Sequence, residues 1–215
     1  MIPYSAEEHA KIENDISGLY EELRREIELL AKMQDGGGNV PTRFPDPVNL
    51  NDIDRRLLIR SIFAFIEALS YSLKVLALSS NDAFRLEAGE RMLAMEEAYE
   101  LSMLGCVETR RAKVPTLGNV RFAFSLLAKV EGSDFRLDVS DQGWNLLQRS
   151  TKVRDRLMHP KALSDLHVSD EEIRGALRAF IWFEGQFVKI LIATIRSLKA
   201  RVIGTKLSKR GSLSE

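Results

Sequence analysis

Residues 57–78, LLIRSIFAFIEALSYSLKVLAL, carry apolar side chains almost all round when they are placed on a helix. A helix of this kind needs neighbours on every side, so the run predicts a central helix inside a helical core. Arg60, Glu67 and Lys74 interrupt it, which distinguishes it from an uninterrupted membrane span. The run therefore predicts a soluble protein with no membrane-spanning segment.

Apolar residues recur at helical spacing in most of the remaining chain, and no alternating strand pattern of useful length is found. Ser5 with Glu8 and Ser169 with Glu172 have the spacing of a capping box, which marks the start of a helix. These patterns predict an all-α, up-and-down helical bundle of about six helices. The first predicted helix runs from Ser5 to Leu30. The other five cover about 52–79, 83–107, 120–131, 140–159 and 169–201.

The apolar seam of the first predicted helix also permits a coiled coil with another subunit. Packing against its own bundle is favoured, because the repeat lasts only about three heptads. Residues 35–50, DGGGNVPTRFPDPVNL, hold three glycines and three prolines and predict a loop between the first two helices. We expect a single domain over 1–201, followed by a flexible basic tail over 202–215.

Charge and cysteine content limit the classes of function. Lys plus Arg equals Asp plus Glu at 31 each, so there is no overall field to attract nucleic acid or an acidic membrane, and any such attraction must be local. Cys106 is the single cysteine and the start of the chain does not resemble a secretory signal, which favours a cytoplasmic location. No glycine-rich phosphate loop and no paired Cys/His spacing is found, so we expect no cofactor and no metal.

The segment TKVRDRLMHPK, residues 151–161, holds the residues that suggest a chemical function. Arg154 falls within the apolar arc of its helix, where a guanidinium needs an anion or several acceptors. An alternative is that its stem packs while its head reaches water or a carboxylate. His159 precedes Pro160 and so lies at the irregular carboxyl end of the helix, where a capping role is the alternative to proton transfer.

Arginine and histidine together suit the cleavage of a phosphodiester. A histidine can take the proton of a ribose 2′-hydroxyl or protonate the leaving 5′-oxygen, and an arginine can stabilise the charge that grows on the phosphoryl oxygens. Five residues of helix separate Arg154 and His159 by roughly 140° of rotation. A twofold dimer would help to bring both groups to one phosphate.

At these residues the chain resembles the HEPN family (higher eukaryotes and prokaryotes nucleotide-binding), whose motif is an arginine, a polar residue, a short spacer and a histidine. Here the motif reads RDRLMH, with Arg154, Asp155 and His159 at the motif positions. The resemblance implies a helical homodimer with facing motifs and, in active members, a metal-independent RNA endonuclease that leaves a 2′,3′-cyclic phosphate. It also implies a toxin or phage-defence role and an antitoxin or other protein partner.

Local charge is compatible with RNA binding. Five Lys or Arg residues lie between 149 and 161, and besides Arg154 these are the predicted RNA-binding residues Arg149, Lys152, Arg156 and Lys161. A solvated helix face is the simpler explanation for Arg149, Lys152 and Arg156. Two other functional interpretations stay open: a non-catalytic HEPN-like module for dimerisation or for binding a nucleotide or protein, and an unrelated bundle in which the motif arose by chance.

Overall fold

A computed structural model of the chain describes the backbone of residues 5–30 and 50–211, and nearly all side chains in these ranges up to Arg201. This part of the chain contains six α-helices and one two-stranded antiparallel sheet, which confirms the predicted all-α helical bundle. The predicted loop lies outside the described residues except for Leu50. The elements are α1 Ala6–Leu30, α2 Asp52–Ser79, α3 Ala88–Ala94, β1 Glu97–Leu101, β2 Val107–Arg111, α4 Thr116–Glu131, α5 Gln142–Met158 and α6 Asp170–Gly211.

The predicted capping residues start their helices as expected. The Glu8 amide donates to the Ser5 hydroxyl at 3.2 Å and the Ser5 amide donates to the Glu8 carboxylate at 2.6 Å. Ser169 and Glu172 exchange the same pair of bonds at 3.3 and 2.9 Å. Each box satisfies amide groups that have no partner within the first turn of a helix.

The chain divides into two compact units. The first, here the motif unit, comprises Ala10–Ser70 and Asp138–Gly185; the second, here the hairpin unit, comprises Met1–His9, Tyr71–Leu137 and Gln186–Glu215. The expectation of a single domain over 1–201 stays a prediction. The α6 backbone is helical through Gly211, ten residues beyond the predicted end at 201, and residues 212–215 lie outside the described part.

Aromatic side chains fill the core of the motif unit. The Phe65 ring lies 5.0 Å from the Phe180 ring and 5.6 Å from the Tyr20 ring, both measured between centroids. Trp182 packs so closely on Gly143 that a Cβ atom there would lie 2.0 Å from the indole, so only glycine fits this position. Burial of such side chains contributes about 1.5–3 kcal/mol each and holds α1, α2, α5 and α6 together.

Helix α2 is long and apolar enough to cross a membrane, and 61% of its most apolar window is buried inside the protein. A buried core helix passes the same length and composition test. The sequence interpretation of residues 57–78 as a core helix agrees with this burial, because Leu58, Ile62 and Leu69 have no exposed surface.

The prediction of a long third helix over 83–107 is wrong. A single 3-10 turn, Ala83–Arg85, and the short α3 replace its first half, and the β1–β2 hairpin replaces its end and the start of the predicted basic loop. Helix α4 also begins earlier than predicted, at Thr116 rather than 120. Helix α3 ends at Ala94, Glu96 then adopts a positive φ of 57°, and Gly105, at φ 76°, permits the turn in the five-residue hairpin loop over 102–106.

Candidate active site

Helix α5 carries the motif and lies wholly within the motif unit. The Asp141 carboxylate accepts a hydrogen bond of 2.6 Å from the Gly143 amide and so caps the helix. Trp144, Leu147 and Leu157 are buried and hold its inner face against the core. At the other end His159 leaves helical geometry, with φ −133° and ψ 57°, while its amide still donates to the Asp155 carbonyl at 3.1 Å. The following Pro160 explains this end.

Arg154 lies on the side of α5 that meets α2. Its guanidinium donates to the Glu67 carboxylate of α2 and, at 3.0 Å, to the neighbouring Asp155 carboxylate. It also lies 5.8 Å from the centre of the Phe63 ring. Among the alternatives for this residue, the structure shows a guanidinium that packs on an aromatic ring and pairs with carboxylates. Its side chain remains 25% exposed, and that of Glu67 is 40% exposed.

His159 is exposed at the end of α5. Within residues 5–30 and 50–201 its ring forms no hydrogen bond and no ion pair. Asp155, which could have oriented this ring, binds Arg154 instead. One chain therefore brings Arg154 and Asp155 together and leaves the imidazole facing solvent.

Arg156 has a structural role that the sequence did not reveal. Its guanidinium binds both carboxylate oxygens of Glu172 at 3.1 and 3.2 Å, and the carbonyls of Asp165 and His167 at 3.1 and 2.7 Å. The expectation that it is a solvated residue is wrong, because these bonds tie α5 to the start of α6. Burial raises the pKa of Glu172, but the hydrogen bonds from Arg156 and Ser169 outweigh it and leave the pKa lowered.

The other predicted RNA-binding residues are exposed. Arg149 and Lys152 lie on the outer face of α5, and Lys161 follows its end. The Lys161 amide donates to the Asp165 carboxylate at 2.7 Å. This bond and the one from the Ala162 amide hold the pKa of Asp165 below its usual range. The side chains of Arg149, Lys152 and Lys161 can meet an anion, whereas Arg156 would first have to release protein acceptors.

Two contacts of the site were missed by sequence reasoning. Glu67 was read only as an interruption of an apolar helix, although it is the long-range partner of Arg154. Arg60 lies two turns before Glu67 and extends to the Leu157 carbonyl at 3.5 Å. Arg60 and Glu67 are charged and lie seven apart in a largely apolar run, in which Lys74 follows after another seven residues. This spacing is the one signal in the sequence that could have indicated a common face.

Exposed apolar side chains surround this contact. Leu57 lies one turn before Arg60 on α2, and Met158 follows Leu157 on α5; they are 41% and 50% exposed. Ile53 continues the α2 face and is also exposed. Three exposed apolar side chains therefore lie near the motif, together with Arg60 and Glu67, which contribute opposite charges.

Comparisons with protein families, with curated proteins and with solved structures found no match to this chain. The resemblance to the HEPN family therefore stays a prediction that depends on the motif residues Arg154, Asp155 and His159.

Proposed function

We propose that the protein is a homodimeric, metal-independent RNA endonuclease with Arg154 and His159 at its catalytic centre. The observation that carries the proposal is the accessibility of both residues near the end of α5: His159 is exposed, and the Arg154 side chain is 25% exposed. The HEPN resemblance, including a cytoplasmic toxin or phage-defence role with an inhibitory partner, is part of the same proposal.

The chemistry needs only these two side chain types. The His159 imidazole takes the proton from a ribose 2′-hydroxyl, the 2′-oxygen attacks the phosphorus, and the bond from phosphorus to the 5′-oxygen breaks. The proton goes to the leaving 5′-oxygen, and the products are a 2′,3′-cyclic phosphate and a free 5′-hydroxyl. The Arg154 guanidinium stabilises the charge on the phosphoryl oxygens.

A second copy of the chain would supply what one copy lacks. Roughly 140° of helix rotation separates the two motif positions, and the Asp155 carboxylate does not hold the ring. The exposed Ile53, Leu57 and Met158 offer an apolar surface beside the motif that a twofold dimer would cover. Arg60 and Glu67 have opposite charges, so this surface suits pairing with itself.

Glu67 is the main obstacle to this function, because it occupies the guanidinium that a phosphate must bind. A partly exposed ion pair contributes only about 0–1 kcal/mol, whereas a phosphate offers bidentate, charge-assisted hydrogen bonds. RNA binding therefore requires Arg154 to exchange the Glu67 carboxylate for a phosphate. We infer that this exchange is the first step of the reaction.

The test is cleavage of a fluorescent RNA in excess chelator by the wild type, Arg154→Ala and His159→Ala. Each substitution should lower the rate by at least about a hundredfold, as expected for loss of a catalytic acid or base or of transition-state charge stabilisation. Arg25→Ala changes an exposed arginine of α1 away from the motif and should cleave like the wild type. Equal traces from all four proteins would identify a contaminating nuclease and refute the proposal.

A non-catalytic helical module is the second candidate, and the pairing of Arg154 with Glu67 and Asp155 favours it. In this alternative the ion pairs join α2 to α5, and the exposed apolar residues serve dimerisation or partner binding alone. The same assay distinguishes the two. If the protein is a non-catalytic module, the wild type sediments as a dimer and cleaves RNA no faster than His159→Ala does.

A further inference from the structure

Helix α6 carries an apolar surface that faces solvent within the hairpin unit. Val188, Ile192, Ile195 and Leu198 are each between 43% and 50% exposed, and we call them the α6 outer strip. At about 100° per residue the four side chains span an arc of about 120°. The neighbouring Phe187 and Ile190 are buried, so the fold covers one side of the helix and leaves the strip uncovered.

The spacing of the strip suits a second helix. Val188, Ile192 and Ile195 follow one another at steps of four and three residues, which is the repeat that a packed helix recognises along a seam. Each side chain is already about half covered by its own fold. An anionic bilayer surface is the alternative occupant, and the experiment below compares it with a helix directly.

Charge identifies the kind of helix that fits. Lys189 and Arg196 are exposed along one flank of the strip, and Lys199 is exposed within its arc towards the carboxyl end. None of the three forms an ion pair within the part of the chain that the structure describes. A partner helix with carboxylates along its matching flank would pair with Lys189 and Arg196. Acidic residues on the partner helix would also raise the rate of its association with α6 at low salt.

A second copy of α6 is a poor occupant. In an antiparallel pair centred on Ile192, Lys189 of each copy lies beside Arg196 of the other. In a parallel pair, Lys199 of one copy faces Lys199 of the other. Like charges therefore meet in both directions, and such contacts oppose association.

We propose that the α6 outer strip binds an amphipathic helix of another protein, whose apolar seam packs on Val188, Ile192 and Ile195 and whose acidic flank pairs with Lys189 and Arg196. This interaction does not depend on the proposed nuclease activity, because the strip shares no residue with the candidate active site.

The test uses two synthetic helical peptides of about three heptads, with identical isoleucine and leucine seams and either Glu or Lys at all flanking positions. Binding to the full chain is measured by fluorescence anisotropy at low and high salt. We expect the Glu peptide to bind at least about tenfold more tightly than the Lys peptide, which corresponds to about 1.4 kcal/mol. Ile192→Asp should weaken the Glu peptide by a similar factor.

The charge-swapped variant Lys189→Glu/Arg196→Glu should reverse the preference for the two peptides. Arg121→Glu changes an exposed arginine on α4 and should preserve the wild-type preference. Circular dichroism of each variant checks that the fold is retained. Equal affinity for both peptides, no binding of the Glu peptide, or stronger binding to phosphatidylserine vesicles than to the Glu peptide would overturn the proposal.

Discussion

Helix α2 contributes to two ion pairs that differ in their surroundings. In the hairpin unit, Lys74 has no exposed side-chain surface and binds the Glu96 carboxylate at 2.9 Å and the Asn119 side-chain oxygen at 3.0 Å. In the motif unit, Glu67 binds Arg154, and both side chains keep substantial contact with solvent. Lys74 is fully buried and has a second acceptor, although its partner Glu96 is 21% exposed, whereas both members of the second pair are open to competitors.

The difference in burial assigns the two pairs to different roles. Separating Lys74 from Glu96 leaves a fully buried ammonium that the protein interior cannot solvate, so that pair is fixed as long as the fold persists. An exposed pair gains little from its contact, because water and salt screen it. We therefore interpret Lys74 with Glu96 as a structural anchor for the hairpin, and Arg154 with Glu67 as an exchangeable contact.

The largest predicted effect is that of Glu96→Gln, which leaves the buried Lys74 ammonium without its carboxylate. We expect the free energy of unfolding to fall by about 3 kcal/mol, the lower end of the range for breaking a buried pair, because Asn119 remains as an acceptor. Denaturant titration monitored by circular dichroism measures it. Glu97→Gln changes the next residue, a carboxylate on the hairpin, and should stay within about 0.5 kcal/mol of the wild type. A similar small loss for Glu96→Gln would remove the distinction between the two pairs.

A smaller effect is the pH dependence of the same pair. The hydrogen bond from Lys74, together with the one from Arg111, lowers the pKa of Glu96 below its unfolded value, although burial opposes the shift. A carboxylate of this kind stabilises the fold above its unfolded pKa, and the stabilisation is lost as pH falls through the folded pKa. The free energy of unfolding of the wild type should therefore exceed that of Glu96→Gln by a constant margin near neutral pH.

That margin should shrink below about pH 4.5, where the carboxyl group of the unfolded chain becomes protonated. Other carboxylates with lowered pKa values, such as Glu90 and Glu172, are present in both proteins and cancel in the difference. Unfolding curves of the wild type and Glu96→Gln at several pH values measure how this margin changes with pH. A margin that is unchanged down to pH 3 would mean that Glu96 is not the titrating group.

Local chemistry explains what the sequence could predict. Ser5 with Glu8 and Ser169 with Glu172 are three residues apart, so their capping boxes form from neighbouring residues and need no knowledge of the fold. The placement of Arg154 in an apolar arc likewise follows from the helical period alone. The helical class of the chain could be predicted for the same reason.

Long-range contacts explain what the sequence could not predict. Glu96 takes a left-handed conformation that is unfavourable for a residue with a side chain, and its carboxylate meets Lys74 from a separate helix. The apparent helix over 83–107 is thus replaced by a 3-10 turn, α3 and the hairpin. The pairing of Glu67 with Arg154 joins residues 87 positions apart, so helical periodicity could place each residue on a face but could not match the faces.

The smallest predicted effect on stability is that of Glu67→Gln, which should change the free energy of unfolding by less than about 0.5 kcal/mol. The same substitution should tighten binding of a non-cleavable 2′-deoxy RNA analogue by roughly threefold to tenfold, because the Arg154 guanidinium then meets phosphate without a competing carboxylate. Glu171→Gln removes an exposed carboxylate from the start of α6 and controls for the change in net charge.

Combining Glu67→Gln with Arg154→Ala tests whether Glu67 and the phosphate bind the same guanidinium. If phosphate and Glu67 compete for one guanidinium, Glu67→Gln has no effect on RNA affinity once Arg154 is absent, and the two substitutions are not additive. Equal tightening in both backgrounds would instead reflect a general loss of negative charge. A loss of more than about 2 kcal/mol of stability for Glu67→Gln alone would show that this pair is as fixed as Lys74 with Glu96, and the exchange that the proposed nuclease requires would then be excluded.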